Sequence, residues 1–216
     1  MIKPIAGFLL LSALALPAHA HELWLERNGN GPVKVFLGEP DQDVVESGET
    51  VAALAPTTRI ISQDSASQKP LTIKDDHLEA AIDGSADVRA VNDQVWKPWE
   101  NDKGELTAAL MHARWGRTEA KAGMDLELVP EKANGDRFTL MFKGQPLADN
   151  DVMLITPTNK AQQLKTDKQG LVELKIDAPG RYILAGGHEI AANGQNVAGQ
   201  KVDRIYHGTT TSFVAE

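Results

Sequence analysis

The chain has 216 residues, with 22 Lys and Arg against 30 Asp and Glu, a formal charge of −8, and no cysteine. An acidic chain with no basic tract is a poor partner for nucleic acid or anionic lipid, which argues against both. Without cysteine there is neither a disulfide framework nor a thiolate metal site, so any soft-metal chemistry falls to His, Met or a free amino terminus.

Residues 1–20 read as a cleaved export leader: Lys3, an apolar run from Ile5 through Leu16, Pro17 as breaker, then Ala18-His19-Ala20 with small residues flanking the cut. The apolar run is too short for a membrane span, and no later stretch approaches the ~20 apolar residues that one needs. The reading predicts a periplasmic protein, cut after Ala20, that begins at His21 and does not insert into the membrane.

From Glu22 onward, short runs of alternating polarity are broken every ten or so residues by Gly, Pro, Asn or Asp, the pattern of an all-β sandwich. The predicted strands run from Glu22 to Glu26, Val33 to Leu37, Thr57 to Ile61, Val88 to Val91, Ala108 to Trp115, Leu126 to Pro130, Arg137 to Phe142, Asp151 to Thr156, Leu171 to Ile176, Arg181 to Glu189 and Asp203 to Val214. One turn of helix is expected around Val45 to Ala53. Strand signals thin between Ser62 and Gly104, a stretch that reads either as a long loop or as a loose sheet edge. The pattern sharpens after Gly123, so the chain is expected to form two antiparallel β-sandwich domains, residues 21–122 and 123–216, joined near Glu119 to Met124.

The residue exposed by the predicted cut carries the main chemical signal. A terminal histidine offers its α-amine and its imidazole Nδ1 to one metal ion and closes a chelate ring without help from the fold. Both nitrogens shed their protons near neutral pH, so a metal ion competes for them at small cost. Such nitrogen pairs suit divalent Ni, Co, Cu and Zn. The plainer alternative is that His21 only marks where a peptidase cuts.

Further ligands must come from elsewhere. Period-two alternation puts Tyr182, Leu184, Gly186 and His188 on one face of a strand, and Ile205, His207, Thr209, Thr211 and Phe213 on one face of the last strand. If Tyr182 stands opposite Phe213, His188 falls opposite His207, close enough for two imidazoles to share an ion. A slip of one residue would separate them, and the alternative is two strand-end histidines beside a Gly186-Gly187 bulge. His112 shares a face with Leu106, Ala108 and Leu110 and reads first as a core or interface histidine, becoming a ligand if its strand faces the terminus; Met111 beside it reads as core. His77, in Lys74-Asp75-Asp76-His77, reads as a solvated turn residue. Trp24 and Trp115 read as core, and Trp96 and Trp99 as a candidate exposed pair that could stack on a sugar. No phosphate-cradling glycine loop, nucleophile elbow, His-Glu-x-x-His pair or carboxylate dyad is present.

In the second half, GQPLADNDVML, LKTDKQGLVELKI and APGRYIL resemble the prealbumin-like or carboxypeptidase-regulatory-like β-sandwich, which is related in shape to immunoglobulin-like domains. Together with HELWLE after the leader, VKVFLGE and LELVPE, the chain from His21 onward resembles a bacterial family of unknown function whose members are described as periplasmic accessories of nickel or cobalt uptake. The resemblance implies a metal-binding protein, not an enzyme, that works beside a membrane metal transporter, with His21, His188, His207 and His112 as candidate ligands of a divalent transition metal ion. Two other classes stand beside it: an oxidative copper enzyme using the same histidines, and a metal-free adhesion or scaffold module.

Overall fold

The computed structural model describes residues 21–62 and 69–216; the expected leader lies outside the described residues. The fold is an all-β sandwich built on one central sheet. That sheet has eight strands: β14 (Ala161–Lys165), β13 (Asp151–Ile155), β16 (Gly180–Ala191), β19 (Arg204–Ala215), β9 (Leu106–Trp115), β7 (Val88–Asn92) and β4 (Arg59–Ser62) in that order, with β8 (Trp99–Glu100) added against β9. Its neighbours are antiparallel except β9 and β19, which run parallel from Thr107 beside Arg204 to Trp115 beside Ser212. The boundary expected between residues 122 and 123 falls in the connection from β9 to β10 (Leu126–Pro130), and the central sheet takes strands from both sides of it.

A smaller sheet covers each face. On one side lie β1 (Glu22–Arg27), β2 (Val33–Glu39), β6 (Leu78–Ala80) and β5 (Leu71–Ile73), with β3 (Val44–Val45) on β2. On the other side are β10, β11 (Arg137–Phe142), β12 (Gln145–Pro146) and β15 (Leu171–Glu173). A two-stranded hairpin of β17 (Asn196–Val197) and β18 (Gln200–Lys201) and the single turn of helix α1 (Glu49–Leu54) complete the described elements.

The last strand shows why three layers form. Alternation sends Thr210 and Ser212 to one face and Thr209 and Thr211 to the other. The Thr210 hydroxyl donates to the Leu23 carbonyl at 2.7 Å, and Ser212 donates to that of Leu25, both on β1. Thr211 donates to the Leu128 carbonyl of β10 at 2.9 Å. A run of small hydroxyl residues thus lets two sheets approach one strand closely while satisfying carbonyls that strand pairing leaves free. Leu23, Leu25, Val35, Leu78, Met111 and Ala113 fill one interlayer core; Leu128, Phe138, Leu140, Val152, Leu184 and Phe213 belong to the other.

A buried ionic network ties β7 and β9 to the second half. Arg114 donates to Asp87 at 2.5 Å and to Glu127 at 2.7 Å, and Arg89 donates to the same Glu127 oxygen at 2.8 Å. All four side chains are buried. The Glu127 carboxylate also accepts the Gly123 and Met124 backbone N–H groups, which fixes the connection from β9 to β10.

Strand expectations hold for most of the chain. The stretch from Ser62 to Gly104 contributes β5, β6, β7 and β8 as short pieces, with residues 63–68 outside the described set. The polar strand β14, Ala-Gln-Gln-Leu-Lys, carries no hydrophobic alternation because it is an edge strand, held by its ladder to β13 with Leu164 alone packing on a core. The expected strand from Leu171 to Ile176 ends at Glu173.

Candidate metal-binding cleft and a buried row of histidines

His21 precedes β1 and stands at the lining of a cleft of about 880 Å³. Its Nε2 lies 2.6 Å from Glu46 Oε1, and its Nδ1 lies 3.7 Å from Glu39 Oε1. Gly38 makes this grouping possible: its φ is +151°, and a Cβ there would stand 2.2 Å from the Val44 carbonyl oxygen. The absence of a side chain therefore lets β3 close on β2 and bring Glu46, whose N–H donates to the Leu37 carbonyl at 2.8 Å, to the start of β1. With Nε2–H donating to Glu46, the Nδ1 lone pair is the one left for an ion. That is the nitrogen a terminal histidine uses beside its α-amine, and a carboxylate holding the other ring nitrogen is the usual way to orient a ligating imidazole. Nitrogen donors beside a carboxylate oxygen at Glu39 fit a borderline divalent ion.

The floor of the cleft is set by two facing glycines. Gly187 on β16 stands opposite Gly208 on β19. A Cβ on Gly187 would lie 2.3 Å from the Tyr206 hydroxyl, and one on Gly208 would lie 2.6 Å from Met111 Cε. Tyr206 and Met111 thus lie over bare backbone and line the cleft with Trp96 and Trp99. Trp99 is 40% exposed, while Trp96 packs on the adjoining core. Glu22 joins the lining, its carboxyl pushed up to about 8 by burial and then by Asp41. The Tyr206 phenol is pushed up to about 12, by burial first and then by Glu22 and Glu189.

On the opposite face of the central sheet lies a row of imidazoles. His188 stands directly opposite His207, in the register that places Tyr182 against Phe213, and the ladder runs without a bulge through Gly186 and Gly187. His112 of β9 stacks on His207, ring centroids 5.6 Å apart, and its Nδ1 lies 3.0 Å from the Gly208 carbonyl oxygen. Phe142 presses edge-on against both His188 and His207, at 4.8 and 5.0 Å. His207 is 2% exposed, and among the described residues neither of its ring nitrogens has a hydrogen-bond partner, nor does the Thr209 hydroxyl on the same face. Burial pushes the His207 imidazole down to about 4, with His112 adding to the effect, and burial lowers His112 and His188 in the same direction.

The four candidate ligands therefore fall in two places. His112, His188 and His207 come together, and His21 does not join them, because the central sheet lies between: Tyr206 and Met111 face the cleft whereas their neighbours His207 and His112 face β10 and β11. Among the described residues no group of three or more His, Asp or Glu side chains is gathered around a common point suited to an ion. His21 differs in kind, since a free terminus would supply two donors from one residue.

The family described as "Domain of unknown function (DUF4198)" matches residues 18–190. The chain belongs to that family. No curated protein and no solved structure matches it. In this DUF4198 chain, no described helix is long and apolar enough to cross a membrane.

The sequence left several partners of the DUF4198 cleft unnamed. Glu39 ends β2 and Glu46 follows β3, in an acidic stretch where no periodicity marks them, and only the close approach at Gly38 gathers them. Tyr206 and the Gly187–Gly208 pair were legible in principle, because the same register that aligns His188 with His207 also aligns the two glycines. His77, expected to be solvated, is half-buried, its ring nitrogens 2.6 Å from Asp76 and 3.2 Å from Glu79.

Proposed function

We propose that this protein is an exported transition-metal-binding accessory that holds a first-row divalent ion, nickel or cobalt or copper, at the histidine left by leader cleavage. The observation that carries the reading is the pairing of His21 Nε2 with Glu46, which commits that nitrogen and leaves Nδ1 as the ring nitrogen that a terminal amine, once freed by cleavage, would join on an ion. Glu39 stands close enough to add an oxygen donor, and the acidic chain attracts cations. Handing the ion to a membrane transporter is the role implied by the resemblance seen in the sequence. An ion held by His112, His188 and His207 would be a second ion on the other face of the sheet.

Binding is favoured over oxidation for a specific reason. An oxygen-activating copper site built on a terminal histidine needs a second imidazole beside it, and among the described residues no other histidine lines the cleft. The experiment is intact-mass and metal analysis of the protein recovered from the periplasm. A mass starting at His21 with one equivalent of a divalent ion is expected; a chain that keeps residues before His21, or one that takes up no nickel, cobalt, copper or zinc, would overturn the reading.

A further inference from the structure

The cleft beside His21 is far larger than an ion requires. Its volume of about 880 Å³ lies in the range of sites for small organic molecules. Its lining is mostly apolar and aromatic, with Trp96 and Trp99 contributed by one short segment and Tyr206 and Met111 seated over the glycine pair. A hydrated divalent ion has no use for two indoles and a thioether. Trp99 is 40% exposed beside this space, so part of its indole is open to a stacking partner.

Lys97 sharpens the inference. It lies in the lining between the two tryptophans and makes no ion pair among the described residues. A positive charge in the wall works against a bare cation and in favour of an anionic group carried with it. The remaining polar groups, His21, Glu22 and the Tyr206 phenol, are the donors and acceptors at hand for the rest of such a ligand.

We propose that the cleft takes the metal as a chelate: a divalent transition ion already held by a small organic ligand with a flat ring and a carboxylate. His21 enters the ion's open positions, the indoles of Trp96 and Trp99 cover the ring, and Lys97 pairs with the carboxylate. This inference rests on the reading of His21 as a metal ligand and names the form in which the metal arrives.

The test titrates the exported protein, starting at His21, with nickel alone, with equimolar nickel and picolinate, and with picolinate alone. Picolinate serves as the probe because it joins a flat ring to a carboxylate. Affinity for the nickel–picolinate complex is expected to exceed that for nickel by about tenfold, the return on stacking one ring and pairing one charge. In Trp99→Ala and Lys97→Gln, whose side chains can be removed without opening a core, that ratio should fall toward one. His21→Ala should lose both affinities. Nickel bound equally well with and without picolinate, or a preference unchanged in both variants, would overturn the chelate inference and leave the metal reading standing. Picolinate bound as tightly alone as with nickel would also overturn it. Failure of the unaltered protein to bind either form of nickel would overturn both.

Discussion

Tyr206 and His207 are consecutive in β19 and face opposite sides of the central sheet, one flooring an open cleft, the other buried within a row of imidazoles. This single alternation divides the histidines into two chemistries. At the cleft, solvent and carboxylates surround His21. Behind the sheet, neither ring nitrogen of His207 has a hydrogen-bond partner among the described residues.

The imidazole row makes stability depend on pH. The His207 imidazole is held down to about 4 in the folded protein, and His112 and His188 are lowered too. Below about 6.5, the ordinary histidine value, the unfolded chain binds protons that the folded one refuses. Stability is therefore present in full above that pH and is lost as pH falls from about 6.5 toward 4, by up to about 1.4 kcal/mol per pH unit for His207 alone. Urea denaturation at a series of pH values should show this slope, and His207→Leu should flatten it. A slope unaltered in that variant would place the titrating group elsewhere.

Arg114 should be the most costly charge to remove. It is fully buried between Asp87 and Glu127, so Arg114→Met leaves two carboxylates without their shared cation. Breaking such a network costs about 3–5 kcal/mol. The midpoint of chemical unfolding reports it, and a loss under about 1 kcal/mol would mean that water reaches the site and screens it.

Gly187→Ala tests the cleft floor. The added methyl would meet the Tyr206 hydroxyl at 2.3 Å, and overpacking of this kind costs about 1–3 kcal/mol. Combined with Tyr206→Ala, which removes the obstacle, the penalty should shrink well below the sum of the two single changes. Strict additivity in thermal unfolding would show that the two residues do not press on each other.

Much of the fold was legible because its strongest signals are local. Period-two alternation and turn residues mark β1, β2, β9, β10, β11, β13 and β16, and the alignment of His188 with His207 follows from alternation once Tyr182 is set opposite Phe213. What escaped was set by partners distant in sequence. The parallel pairing of β9 with β19 joins segments about a hundred residues apart, and nothing in either strand names the other. That pairing, with β1 on one face and β10 on the other, decides that His112 joins His207 while His21 is kept away. Glu46 and Glu39 were unreadable for a similar reason, since their role depends on a backbone approach at Gly38 and on no spacing.

The central claim is that His21 binds as a terminal residue, through amine and imidazole together. Nickel titration of the exported protein against the same protein carrying one extra alanine before His21 tests it most directly, because the added residue converts the amine to an amide and leaves every side chain in place. The account predicts a sharp loss of affinity in the extended form, of at least about tenfold, equivalent to about 1.4 kcal/mol. Equal affinity in the two forms would contradict it and remove the terminus from the site.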